Sequence, residues 1–328
     1  MKVLFLFRKA EIEFNSIETL FSGLMRILTN NVEVTSLNCP SSRANLSGIW
    51  SNILFCISLP KEIVHITGHI NYCAIFCGNK TILTIHDIGS FKKNSWIKSL
   101  LFSFLWFQLP IYFSKNVTVI SEFTKNEILR LYPWCISKLV VIPNSVNCEF
   151  IHQSRIFNEI VPTILLVGTK DNKNLERVIM ALEGLSCELV ILGRLSEIQI
   201  SFLEKYYISY SNLNDLSLSE VVKVYSESDL LCFASVYEGF GLPILEAQAT
   251  GRPVVTSNLG AMLEVAGDSA CLVDPFDIDS IRSGVERIIL DNEYREQLIE
   301  KGFQNVKKYR LETIANQYHS LYKQLDND

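Results

Sequence analysis

Short apolar runs alternate with helical patterns along almost the whole chain, and this alternation limits the fold more than any other feature. Val3–Phe7, Ile63–Thr67, Thr81–Ile85, Val117–Ile120 and Leu139–Ile142 predict the strands of a first half. Thr163–Val167, Glu188–Leu192, Leu230–Phe233 and Pro253–Thr256 predict those of a second. Near-continuous apolar runs of this length suit strands covered on both faces. Strands that alternate with helices imply parallel sheets with helices on either side, and 328 residues are enough for two such domains. The polar stretch Asn147–Val161 lacks periodicity and reads as a linker, which places the domains at 1–155 and 156–305. Beyond them, 306–328 reads as a terminal helix with Ile314, Tyr318, Leu321 and Tyr322 on one face.

Composition narrows the options. Hydrophobic residues make up 48% of the chain, yet no run reaches the roughly 20 apolar residues of a membrane-spanning helix. The opening run Val3–Phe7 stops at Arg8, too short for a signal-peptide core, so a cytoplasmic location is expected. The nine cysteines are scattered, mostly inside apolar segments such as those of Cys56, Cys232 and Cys271. Cys73 and Cys77 form the one close pair, with no second pair or suitably spaced histidine. Buried reduced thiols and no metal site are therefore expected. A net charge of −5 disfavours non-specific nucleic-acid binding.

Open parallel sheets bind ligands beyond the carboxyl ends of their strands. The residues at those ends here are Thr67-Gly68, His86-Asp87, Ser121-Glu122, Gly168-Thr169, Gly193-Arg194 and Ser235. The richest stretch follows: Glu238-Gly-Phe-Gly-Leu-Pro-Ile-Leu-Glu246, then Gly251, then Pro253-Val-Val-Thr256. Gly239 and Gly241 permit a sharp turn, and Pro243 suits the first turn of a helix. Glu246 is expected in that first turn, with Glu238 in the loop before it, and Gly251 ends the helix. Free N–H groups and two carboxylates at one mouth suit a ligand carrying phosphate and sugar hydroxyls. The bland alternative is an exposed loop glutamate and a charge that merely offsets the helix dipole. A strand, Gly168 and Lys173 before a helix start make one candidate phosphate site, and the turn Ser257-Asn258-Leu259-Gly260 makes a second.

The run Tyr237–Ala247 resembles the signature of family 4 of the retaining glycosyltransferases, and the resemblance covers Thr163 to about Val306. It implies the GT-B architecture, in which two Rossmann-like parallel-sheet domains face each other across a cleft and a C-terminal helix crosses back to the first. It implies hexose transfer from a nucleoside diphosphate sugar to a hydroxyl of a glycan or lipid-linked acceptor, with retention and without metal, in surface polysaccharide synthesis. By this resemblance Glu238 contacts the donor sugar, Glu246 the ribose and Lys173 the diphosphate. Main-chain and side-chain groups of Gly168, Thr169, Gly193, Gly239, Gly241, Leu242, Asn258 and Gly260 line the donor site, and His86 faces the sugar. On its own, a lone histidine is more often structural than catalytic. Asp87 is a candidate for orienting His86, Ser121 for a helix cap, and Lys125 for a contact in the cleft. The chain departs from the family pattern where Asn172 replaces a basic residue, where Leu263-Glu264 replaces Pro-Glu, and in the glycine-less loop Arg8–Glu18 with Asn15. These departures keep open a non-catalytic nucleotide-sugar-binding subunit, and the shared scaffold keeps open a sugar-nucleotide epimerase. Trp96–Phe113, behind Lys92 and Lys93, suits an interfacial membrane helix or a packed helix of the first domain.

Overall fold

In the computed structural model, residues 1–9, 16–29, 32–42, 45–60, 62–89 and 96–327 are described. The chain forms two compact units, Met1–Ser145 with Leu311–Asp328, and Val146–Arg310. The first unit has six parallel strands: β1 (Lys2–Phe7), β2 (Glu33–Asn38), β3 (Ile63–Ile66), β4 (Thr81–Ile85), β5 (Asn116–Val119) and β6 (Leu139–Val141). They lie in the order β2-β1-β3-β4-β5-β6. Five of the six β1 residues are buried, as the unbroken apolar run predicts. The helix Leu311–Asn327 buries Ile314, Tyr318, Leu321, Tyr322 and Leu325 in this unit's core beside Phe5 and Phe21. A buried hydrogen-bond chain ties it to three strands. The Tyr322 hydroxyl meets His65 Nδ1 at 2.6 Å, His65 Nε2 meets Thr84 Oγ1 at 2.7 Å, and Thr84 meets Thr118 at 2.7 Å.

The segment Trp96–Phe113 is helical throughout, with a wider π turn over Phe104–Gln108. Pro110 has no N–H to return to the preceding turn, and Leu109 N–H instead bonds to Phe104 O across the widened turn. Its inner face is Ser103, Phe107, Pro110 and Ile111; Leu100, Leu101, Phe104, Leu105, Tyr112 and Phe113 are exposed.

The second unit also has six parallel strands: β7 (Thr163–Val167), β8 (Glu188–Leu192), β9 (Ser209–Leu213), β10 (Leu230–Phe233), β11 (Val254–Ser257) and β12 (Cys271–Val273). Their order is β12-β11-β10-β7-β8-β9. This is a doubly wound Rossmann order, and the direction of winding reverses between β7 and β10. Two parallel α/β domains of the Rossmann type are thus observed, as expected.

The unit boundaries differ from the expected ones. Residues 146–161 pack onto the second unit instead of forming a free linker. Val146 N bonds to Tyr309 O at 2.9 Å and Gln153 N to Thr250 O at 3.4 Å. The cause is Asp229, whose carboxylate is fully buried. It accepts from Arg155 Nε at 2.7 Å, Asn158 N at 3.3 Å and Thr163 N at 2.8 Å. A buried charge needs such partners, so the polar strap is recruited to the unit. At the other end, Tyr309 stacks edge-on against Phe240 at 5.7 Å and keeps Lys307–Tyr309 with the second unit.

Candidate functional site

Three neighbouring strands of the second unit, β7, β10 and β11, each lead into a helix whose first turn lacks a side-chain cap. These helices are Leu175–Ala181, Leu242–Thr250 and Gly260–Ala266. The unit's other helices are capped, by Ser196, Ser217, Asp277 and Asp291. Backbone donors are therefore left to a ligand at one edge of the sheet, on either side of the reversal point.

The loops after β7 and β10 are joined by side chains. Lys173 Nζ lies 2.7 Å from Glu238 Oε1, and both side chains are less than a fifth exposed. Asn172 Nδ2 donates to the same oxygen at 3.0 Å and to Tyr237 O at 2.9 Å. Val236 N donates back to Asn172 O at 2.8 Å. Lys173 also lies 4.6 Å from the centre of the Phe233 ring, which attracts its cationic head. Gly168, at φ +88°, lets the Lys173 stem pass: a Cβ there would stand 2.7 Å from Lys173 Cε. Asn174 holds the turn in a left-handed conformation, donating to Ala234 O at 3.0 Å and Pro275 O at 2.7 Å.

Thr169 and Gly193 form the next part of the edge. Thr169 Oγ1 donates to Arg194 O at 2.6 Å. Gly193, at φ +128°, would bring a Cβ to 3.2 Å from Thr169 Cγ2. Gly239 and Gly241 lie in the loop that opens the helix Leu242–Thr250, and Gly241 takes φ +122°. Asn258 N bonds to Val273 O at 2.9 Å while its side chain is exposed, and Gly260 begins the helix after β11.

Glu246 departs from its expected position. The helix starts at Leu242 and has no acid in its first turn, so Glu246 lies a turn further in. There its Oε2 accepts from the Tyr225 hydroxyl at 2.5 Å. Burial raises the Glu246 pKa, while the Tyr225 bond and Lys173 draw it back. Tyr225 is fully buried on the helix Leu218–Glu227. The sequence gives no hint of its role, because a tyrosine on an amphipathic helix reads as core.

The first-unit candidates form a separate group. His86 Nε2 lies 2.8 Å from Thr67 O, so that nitrogen carries the proton and Nδ1 is left as an acceptor. Burial lowers its pKa to about 4, against the opposing effect of the Thr67 bond. The ring lies against Gly68, where a Cβ would come within 2.7 Å of it. His69 has the strained φ of +62° and stacks 6.4 Å from His86. His69, Asn71, His86, Asp87 and Trp106 line a cavity of about 270 Å³. The buried Asn71 Oδ1 has no hydrogen-bond partner among the described residues. Asp87 accepts from Gly89 N at 3.0 Å and does not contact His86 through any described bond. Ser121 caps the helix Glu122–Leu131, and Lys125 pairs with Glu122 at 3.1 Å. Arg8 pairs with Glu18 at 2.7 Å; Asn15 lies outside the described residues, as do Lys92, Lys93 and the Trp96 side chain.

Residues 148–305 match the family model of the glycosyl transferases group 1. O-antigen chain mannosyltransferase B of Escherichia coli is 27% identical over 240 residues, covering 65% of this chain and 61% of its own. The Salmonella typhimurium O-antigen chain mannosyltransferase RfbU is 30% identical over 222 residues, covering 64% and 61%. The chain thus spans about three-fifths of the length of these relatives. Anabaena HepE, solved with UDP and glucose, superposes with a TM-score of 0.78 over 99% of this chain and 100% of its own, at 13% identity. That likeness shows the fold, two Rossmann-like α/β domains. Among the described residues, no helix is long and apolar enough to cross a membrane.

Proposed function

We propose that the second unit, which matches the glycosyl transferases group 1 over residues 148–305, is the donor domain of a retaining glycosyltransferase. It moves a hexose from a nucleoside diphosphate sugar to a hydroxyl of a glycan or lipid-linked acceptor in bacterial surface polysaccharide synthesis. The observation that carries this reading is the Lys173–Glu238 pair, set between uncapped helix starts at the reversal point of the sheet. The names of the O-antigen mannosyltransferase relatives support the acceptor class, and the UDP complex of HepE supports the donor class.

In this reading Lys173 and the main-chain donors near Gly241, Leu242 and Gly260 take up the charge of the leaving diphosphate. Preorganised donors in a partly buried site act strongly on developing charge, and no metal is assigned to the step. Glu238 accepts from sugar hydroxyls and Glu246 from ribose hydroxyls. The acceptor hydroxyl attacks the donor's own face and gives its proton to the leaving phosphate. Asn172, where the family carries a basic residue, holds Glu238 in place; this favours the catalytic reading over a binding-only subunit. The first unit takes the acceptor, with His86 Nδ1 and Asn71 Oδ1 accepting hydrogen bonds from its hydroxyls.

A thermal-shift screen against nucleoside diphosphates and their hexose derivatives tests the donor site, and radiolabelled transfer to lipid extracts tests the reaction. No shift with any nucleotide counts against the whole reading. Binding without transfer to any acceptor favours the scaffold subunit.

Contact with the bilayer is part of the proposal. Leu100, Leu101, Phe104, Leu105, Tyr112 and Phe113 point outward from Trp96–Phe113, and Trp134 lies 6.2 Å from Tyr112. Such a patch suits the interfacial layer where a lipid-linked acceptor resides. Trp106 packs on Phe102 and Tyr72 and is a poor probe of this contact. The informative variant is Phe104→Ser with Tyr112→Ser. Wild type is expected to float with anionic vesicles and the variant to stay behind; equal flotation removes the membrane role.

A further inference from the structure

The cysteines of the first unit are scattered in sequence but not in space. Cys39 follows β2, Cys56 lies in the last turn of the helix Leu46–Ile57, and Cys73 lies in the 3₁₀ turn Asn71–Ile75. Their three sulfur atoms all lie within 4.8 Å of one another, and all three residues are buried. Cys77, also buried, directs its thiol at Cys56. The surrounding core is apolar: Leu4, Leu6, Val64, Ile66 and Leu83.

A polar frame outside the thiols fixes their positions. Asn52 is one helical turn before Cys56, on the same face, and is buried. Its Nδ2 donates to Ser41 O at 3.0 Å and to the Tyr72 hydroxyl at 2.8 Å, and its Oδ1 accepts from Ser41 N at 3.0 Å. One side chain thus ties the segment of Cys39 and the turn of Cys73 to the helix of Cys56. Cys39 N bonds to Phe7 O at 2.8 Å, which holds that segment to the sheet. Hydrogen bonds that fix the ligand-bearing segments in this way are common at metal centres.

We propose that Cys39, Cys56, Cys73 and Cys77 hold a structural zinc ion in the core of the first unit. A tetrahedral site with Zn–S bonds of about 2.3 Å places its sulfurs about 3.8 Å apart; the sulfurs of Cys39, Cys56 and Cys73 reach this with a small inward shift, and Cys77, beside Cys56, moves in as the fourth ligand. Cys73 and Cys77 have the C-x₃-C spacing common at zinc sites. Thiols alone gain little from convergence, since S–H is a weak donor. The carbonyl end of a helix at Cys56 favours a nearby cation over a bare thiolate. On binding, each ligating thiol gives up its proton to solvent.

The test uses the full chain, purified from zinc-supplemented medium under reducing conditions without chelator. Elemental analysis is expected to find stoichiometric zinc that survives dialysis. Exchange with cobalt is expected to give thiolate charge-transfer bands and tetrahedral d–d absorption. Cys56→Ser and Cys73→Ser lose the metal, while Cys148→Ser, at an exposed thiol of the second unit, keeps it. If the serine variants do not fold, the cobalt spectrum of the wild type decides alone. Zinc removed by dialysis, a wild type without the cobalt spectrum, retained metal in Cys56→Ser, or a mass deficit matching a disulfide within the cluster each overturns the proposal.

Discussion

Replacing Glu238 by glutamine is expected to tighten binding of a nucleoside diphosphate while it suppresses sugar transfer. Lys173 is engaged by Glu238 at 2.7 Å. At an effective dielectric constant of 20, that separation corresponds to a gross attraction of about 6 kcal/mol. Both side chains are mostly buried, and desolvation cancels much of it. Net values for hydrogen bonds to charged groups run about 1.5–3 kcal/mol. Glutamine keeps a neutral acceptor for Lys173 and Asn172, so the change removes only the charged part, about 1–2 kcal/mol. A diphosphate that recruits Lys173 must overcome that engagement in the wild type and is spared it in the variant. The gain amounts to about 5–30-fold in Kd. Transfer loses the carboxylate on the sugar and is expected to fall by roughly two orders of magnitude. Calorimetric titration with sugar-free nucleoside diphosphates measures the first effect, with Lys173→Ala as the control that loses affinity. Unchanged or weaker binding in Glu238→Gln refutes the idea that one ammonium serves both partners.

Glu246→Gln is expected to weaken nucleotide binding by about 1–3 kcal/mol and at the same time to raise the melting temperature. Its folded pKa lies above the unfolded one, so its charge opposes folding once the pH exceeds both; a lower melting temperature at pH 7 contradicts this. His65 acts in the opposite sense: burial takes its folded pKa to about 3, below the unfolded value of about 6.5. The unfolded chain therefore binds the proton first, and stability should fall by about 3 kcal/mol between pH 6.5 and pH 4. Urea titrations of wild type and His65→Gln across that range check it, and parallel profiles count against the assignment. Gly168→Ala combines a left-handed backbone with a Cβ 2.7 Å from Lys173 Cε. It should cost transfer at least tenfold while Gly184→Ala, in open space, leaves transfer intact; equal rates would show that the Lys173 stem does not need that passage.

The central strands were legible because burial on both faces demands continuous apolar runs. The strands that gave no such signal are β2, β9 and β12, and all three lie at sheet edges. There one flank is free, and polar sequences such as Glu33–Asn38 suffice. The acids 238 and 246 stood out through glycine and proline chemistry. Lys173 stood out as a diphosphate contact, but its pairing with Glu238 did not, and neither did Tyr225. Lys173 reaches Glu238 only because β10 inserts beside β7, a pairing set by three-dimensional winding rather than local pattern. Tyr225 meets Glu246 because two helices pack together, and Asp229 draws in a strap that reads as a linker. The thiol cluster escaped for the same reason, since its members come from three separate segments.

The first unit is built from two stretches separated by the whole second unit, and this sets an order of events during synthesis. The sheet β1–β6 emerges from the ribosome early, yet the helix that covers Phe5 and Phe21 is encoded in residues 311–327. The second unit can close before its predecessor is finished. Until residues 311–327 are made, His65 lacks its Tyr322 partner and an aromatic surface stays open to chaperones. A nonsense codon after Arg310 would thus damage the first unit, although its whole sheet lies upstream.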